Sequence, residues 1–200
     1  MCGFVGSVTS DDRNLNSVYL SPALSALSHR GPDAQGVFSV DNVVMGHVRL
    51  SILDLSSAGD QPMLSKDGRY TIVYNGEVYN FRELAEEYGF TDLQSSSDTE
   101  VILKLFELKG TKAFSLLNGM FALAIYDKHL KKITLARDRL GIKPLFLAVK
   151  RGSVFFASEI KALEALDASL KRVNVEALHE WSYYGNSLGE KTLIKDVQKV

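Results

Sequence analysis

Cys2 is the sole cysteine of the chain and stands directly behind Met1. Removal of Met1 places a nucleophile and a base on one residue, with a thiol pKa of roughly 8.5 and an α-amine pKa of roughly 7.7–8.0. Such an amine can take the thiol proton near neutral pH and return it to a leaving group. Gly3 lets backbone or substrate pass close to the sulfur. Phe4 and Val5 begin a buried strand that keeps the reactive end from fraying. The alternative is a lone cysteine on a loose terminus.

Four further stretches could carry chemistry. His29-Arg30-Gly31-Pro32-Asp33 reads either as an ordinary helix end, basic residues followed by glycine and proline, or as a shaped loop that covers a site. Arg49, in Arg49-Leu50-Ser51-Ile52-Leu53, sits in an apolar strand and needs an anion there. That anion is an internal Asp or Glu, or a substrate carboxylate. Asn75-Gly76-Glu77 follows a strand and has the composition of a tight hairpin turn, yet Val78-Tyr79 is too short for a returning strand. The other reading is an oxyanion hole made by the Asn75 amide and the Gly76 N–H. Asp98 is adequately explained as an acid in the first turn of a helix, and could also pair with a substrate ammonium.

The elements that must position these residues are legible in outline. Ser21-Pro22 predicts a helix start, with an earlier start near Asn14 and a kink at Pro22 as the alternative. Thr9 to Asn16 reads as loop. Strands are predicted at Val37–Val40, Val43–Leu53, Tyr70–Tyr74, Met120–Tyr126, Ile133–Ala136, Leu145–Val149 and Ser153–Ala157. Asn80 with Glu83, and Ser97 with Glu100, predict two capped helices ending at Gly89 and Gly110. A short helix is expected at Ala113–Leu117, and longer ones at Ile160–Leu166 and Val175–Tyr184. Strands on either side of a central helical pair predict an α+β fold of stacked sheets with helices outside.

Composition narrows the function. The formal net charge is −1 with 23 basic and 24 acidic residues, and no basic stripe suggests nucleic acid or a membrane surface. One cysteine cannot form an internal disulfide, no apolar run is long enough to span a bilayer, and no leader is visible, so a cytoplasmic location is expected. His29, His47, His129 and His179 lack metal-ligand spacing, and no metal site is expected. Arg137-Asp138-Arg139-Leu140-Gly141-Ile142-Lys143-Pro144 reads as a structural loop or contact surface.

These motifs, in this order, resemble the glutamine-hydrolysing half of asparagine synthetase, within the class II (N-terminal nucleophile) glutamine amidotransferases. The resemblance rests on MCGFVG at the start, HRGPD at 29–33, RLSI at 49–52, YNGEVYN at 74–80 and SDTEVIL at 97–103. NGMFALAIYD at 118–127, ARDRLGIKPL at 136–145 and SEIKAL at 158–163 complete it. It implies a four-layer αββα sandwich, with Cys2 as nucleophile and Asn75 and Gly76 as the oxyanion hole. It further implies Arg49 on the α-carboxylate of L-glutamine, Leu50, Ser51, Ile52 and Leu53 lining that side, and Glu77 and Asp98 on the α-ammonium. The implied reaction runs through a γ-glutamyl thioester and yields glutamate and ammonia.

Residues 1–169 are then expected to form the glutaminase domain, and 170–200 a segment leading toward an ATP-dependent synthetase domain or subunit that accepts the ammonia. ATP and Mg would belong to that other domain, with no cofactor in this one; a homodimer is compatible with the resemblance. A hydrolase of another small amide, and a non-catalytic regulatory module, are the alternative readings.

Overall fold

Residues 3–7 are buried on both faces of their strand, and alternation decides which layer each side chain enters. The computed structural model describes residues 1–9 and 17–200. The strands are β1 (Gly3–Val8), β2 (Ala34–Val40), β3 (Val43–Arg49), β4 (Met63–Leu64), β5 (Tyr70–Val78), β6 (Gly119–Asp127), β7 (Lys132–Arg137), β8 (Phe146–Lys150), β9 (Ser153–Ala157) and β10 (Val197–Lys199). The α-helices are α1 (Ser17–Leu27), α2 (Phe81–Glu87), α3 (Asp98–Lys109), α4 (Ile160–Leu166) and α5 (Val175–Tyr184).

Two antiparallel sheets result. One has the order β10-β8-β9-β1-β3-β2 and the other β4-β5-β6-β7. Three apolar clusters define the layers. Leu20, Leu24 and Leu27 of α1 and Leu163 of α4 pack with Val5, Val44 and Val48 on the outer face of the larger sheet. Leu84 of α2 and Val101, Ile102 and Leu105 of α3 cover Ile72, Tyr74 and Leu123 on the outer face of the smaller. Between the sheets lie Phe4, Met45, Val73, Ala122, Ala124, Tyr126 and Phe156. The stacked-sheet α+β expectation therefore holds, in the order helix, sheet, sheet, helix.

Tertiary burial overrides several local signals. α1 runs through Pro22 instead of starting at it, because Leu20, Ala23, Leu24 and Leu27 form one buried stripe that outweighs a lost helical hydrogen bond. Asn14 lies outside the described residues. β3 ends at Arg49, short of Leu53, since the chain leaves the sheet once Ala34↔Arg49, the last β2–β3 pair, is made. β5 continues through Asn75-Gly76-Glu77, all paired to β6, so that stretch is neither a turn nor a strand end.

The predicted caps are only partly as drawn. Asn80 caps nothing at α2 and spends its side chain on Leu116 O and the Asn118 N–H. Ser97 does cap α3, accepting from the Thr99 N–H, whereas Glu100 turns to the N–H groups of Gln94 and Ser95. The short helix near Ala113 is a 3₁₀ segment, Gly110–Leu116.

Gly6 is required by close approach: a Cβ there would land on the ring of Phe156, itself fully buried and tilted against Phe4. Gly6→Ala should lower unfolding stability by about 1–3 kcal/mol through overpacking of the inter-sheet layer. Denaturant titration measures this, and an unchanged midpoint would contradict it.

Candidate active site

Side chains of one parity on each sheet face the inter-sheet layer. From the larger sheet these are Phe4 and Gly6 on β1, with Cys2 in step before them, and Val43, Met45, His47 and Arg49 on β3; Phe4 and His47 are cross-strand partners. From the smaller sheet they are Val73, Asn75 and Glu77 on β5 and Met120, Ala122 and Ala124 on β6. The middle of the layer is apolar. At one end the facing residues turn polar and enclose a cavity of about 280 Å³, at the small end of the range for ligand pockets. Cys2, Arg49, Leu50, Ile52, Leu53, Asn75, Gly76, Glu77 and Asp98 all line it. Ser51 does not; it borders the neighbouring cleft, where its N–H donates to Asp33 Oδ2 at 2.8 Å.

The Cys2 thiol donates to Leu50 O at 3.5 Å and accepts from the Leu50 N–H at 3.4 Å. Burial pushes its pKa up, against the pull of the Leu50 hydrogen bond, the terminal amine and the charges of Arg49 and Arg30. The residue is clamped from behind. Arg30 donates through Nε to Cys2 O at 2.8 Å and through Nη1 to Glu159 Oε1 at 2.7 Å. Burial opposes ionisation of Glu159, but hydrogen bonds from Arg30, Lys161 and His29 outweigh it and hold the carboxyl at about 2.

The His29–Asp33 stretch is therefore more than a helix end. Gly31 is extended, with φ −150°, and is glycine because a Cβ would strike the backbone of Val48 and Arg49. Asp33 donates its N–H to Arg49 O and takes the Ser51 N–H, which fixes the 50–53 loop over the cavity.

The internal-anion reading of Arg49 holds in this fold. Its guanidinium donates to Ser56 O and Asp60 Oδ1, each at 2.7 Å, and to Asp54 O. Among the described residues that is three of its five donors, and the group still borders the cavity. Gly59 is needed beside it, since a Cβ there would displace Nη2.

Asn75 Nδ2 is buried with no partner among the described residues. Gly76 follows on the edge of β5 beyond the reach of β4, which pairs only as far as Met63↔Ile72. Alternation turns the Gly76 N–H to that uncovered edge, away from β6. A Cβ on Gly76 would strike Met120 O and the backbone of Phe121.

Two carboxylates, Glu77 and Asp98, line the same cavity. Burial raises the pKa of Asp98, although its Oδ2 accepts from Tyr74 Oη at 2.5 Å and the Val78 N–H at 2.9 Å. Burial and the neighbouring Asp98 charge also raise Glu77, with Lys143 pulling it back. A cation arriving between the two carboxylates relieves both effects.

Lys143 is a cavity residue that its motif did not reveal. It is 6% exposed, and Nζ donates to Met1 Sδ at 3.2 Å. Asp138 delivers it by accepting the N–H groups of Phe121, Leu140, Ile142 and Lys143, while Arg137 holds Gly141 O and Lys143 O. Nothing in the charged, turn-rich 137–144 stretch marks Lys143 for burial, since its place depends on the Asp138 turn.

A family model described as "Glutamine amidotransferase domain" matches residues 1–200. The chain belongs to the glutamine amidotransferase domain family. It is 41% identical over 147 residues to "Asparagine synthetase B [glutamine-hydrolyzing]" of Escherichia coli, covering 72% of this chain and 26% of that one. It is 37% identical over 210 residues to "Asparagine synthetase [glutamine-hydrolyzing] 1" of Bacillus subtilis, covering all of this chain and 32% of the relative. The chain thus spans about a third or less of the length of these relatives. Among solved structures, the glutamine phosphoribosylpyrophosphate amidotransferase of B. subtilis superposes with a TM-score of 0.69 at 22% identity, over 82% of this chain and 43% of that one, a likeness of fold.

With Met1 in place, the Cys2 thiol should react with iodoacetamide with a pH midpoint above that of a free cysteine, because burial disfavours the thiolate. Alkylation rate against pH, read by intact mass, checks this; a midpoint at or below the free value would contradict it.

Proposed function

We propose that this domain hydrolyses L-glutamine to L-glutamate and ammonia through a γ-glutamyl thioester on Cys2. The observation that carries the reading is that a buried Asn75 Nδ2, without a partner among the described residues, and an edge Gly76 line the same cavity as the only thiol. Two donors converging beside a nucleophile suit the oxyanion of an acyl transfer.

Removal of Met1 frees the Cys2 α-amine, which takes the thiol proton. The thiolate attacks the side-chain amide carbon, and the oxygen that becomes negative meets Asn75 Nδ2 and the Gly76 N–H. Collapse breaks the C–N bond, and the amine's proton leaves with the nitrogen as ammonia. Water, deprotonated by the same amine, then cleaves the thioester and restores the thiol. Arg49 takes the α-carboxylate with its two remaining donors, while Glu77 and Asp98 take the α-ammonium. The opposite charges fix the α-carbon, so the reacting amide is presented at the sulfur in one orientation.

The ammonia is proposed to serve an amidation in an ATP- and Mg-dependent synthetase domain or subunit, with aspartate as the acceptor. Support comes from the relatives, which are named as glutamine-hydrolysing asparagine synthetases and are about three times as long as this chain.

Three substitutions test the assignment in protein lacking Met1. Cys2→Ala should abolish glutamine-dependent ammonia release while leaving the melting temperature near that of the parent; retained release would refute the reading. Arg49→Ala should raise KM for glutamine about 10- to 100-fold, the cost of losing one charge-assisted pair. An unchanged KM would remove Arg49 from the site. Asp98→Asn keeps an acceptor for Tyr74 and Val78 but loses the charge, so KM should rise about 10-fold with kcat less affected. Equal turnover of glutamine and a simple amide lacking both α-groups would contradict the roles of Glu77 and Asp98.

A further inference from the structure

The uncovered edge of β5 is held by side chains where a strand is missing. Beyond Ile72 the edge passes Tyr74, Gly76 and Val78, residues whose backbone groups alternate to the same side. Tyr70 N–H and C=O meet Ser65 on this edge, and the Val78 N–H meets Asp98, which fixes the alternation. At Tyr74 two side chains replace the absent neighbour. The Tyr74 N–H donates to Gln61 Oε1 at 2.6 Å, and the Tyr74 C=O is paired with His47 Nε2 at 3.1 Å.

His47 reaches this carbonyl from the opposite sheet. It is fully buried on β3, cross-strand from Phe4, with its ring in the inter-sheet layer. Burial pushes its pKa down to about 4, so the ring is neutral and the proton on Nε2 is the one that donates. Nδ1 is then a buried acceptor with no partner among the described residues. An apolar residue, as at Val43 and Met45 on the same face, would fill the layer without that unpaired atom. The histidine is explained by the bond it makes at Nε2. The peptide it grips is the one that joins Tyr74 to Asn75.

We infer that His47 is a positioning residue for the oxyanion site: by holding the Tyr74 carbonyl it sets the direction of the Asn75 amide and of the Gly76 N–H that follow on the same strand. This rests on the glutamine-hydrolysis reading and deepens it. The thiol stays reactive without His47; what is lost is alignment of the donors that meet the developing charge.

The test compares His47→Gln, His47→Asn and His47→Met in protein lacking Met1. The glutamine amide nitrogen can sit where Nε2 sits, whereas the asparagine amide falls short of Tyr74 O. His47→Gln should keep kcat within about threefold of the parent. His47→Asn and His47→Met should lose about 10- to 100-fold in kcat with KM for glutamine within twofold. Iodoacetamide alkylation of Cys2, which builds no oxyanion, should proceed at the parental rate in all three. Should His47→Met fail to fold, the Gln and Asn pair decides. Parental kcat in His47→Asn, a loss carried by KM, failure of Gln to rescue, or slowed alkylation would each overturn the inference. No ammonia release by the parent would instead overturn the glutamine reading, and this inference with it.

Discussion

The inter-sheet layer is the constraint on which the site depends. Two sheets stacked face to face leave a space roughly 10 Å thick that their inner side chains must fill. Over most of its length Phe4, Met45, Val73, Ala124, Tyr126 and Phe156 fill it with apolar surface. Where β4 stops short and β3 gives way to the 50–53 loop, the same alternation delivers Cys2, Arg49, Asn75 and Glu77 instead. Polar atoms at that depth are costly without partners. Most are paired internally, and of the buried side-chain atoms left without a partner among the described residues, Asn75 Nδ2 belongs to a residue that lines the cavity.

Charge is sorted within the cavity as carefully as volume. Arg49 stands on β3 and is steadied by Asp60 and two carbonyls, while Glu77 and Asp98 belong to the facing sheet and the helix behind it. Neither carboxylate has an ion-pair partner within 4 Å among the described residues, and burial raises both. In the proposed reaction that electrostatic gap takes the ammonium of glutamine on the side of the smaller sheet. The mechanical support lies outside the cavity, in the Arg30–Glu159 pair behind Cys2 and the Asp138 cradle beneath Lys143.

Much of this was readable from residue types. Cys2 and the poor hairpin at Asn75-Gly76 pointed to the site because each sits badly with the simplest local explanation, whereas Arg49 makes the internal ion pair that was one of its two readings and also borders the cavity. Helix α3 and strand β6 were plain because burial and propensity agree along them. What was hidden depends on distant neighbours. Gly31 looks like a helix stop until the backbone of Val48 and Arg49 is beside it. Pro22 looks like a helix start until the stripe around it is buried. His47 and Gln61 carry no motif of their own, and their use follows from an edge that β4 leaves open.

The proposed hydrolysis requires an acyl group carried on the sulfur of a freed amino-terminal cysteine. Acid quenching of the domain during turnover of glutamine, followed by intact mass and peptide mapping, tests it directly. A glutamyl adduct confined to Cys2 is expected, present in chains that have lost Met1 and absent from those that retain it. Ammonia release at full rate by the Met1-bearing chain, or an adduct on any other residue, would contradict it.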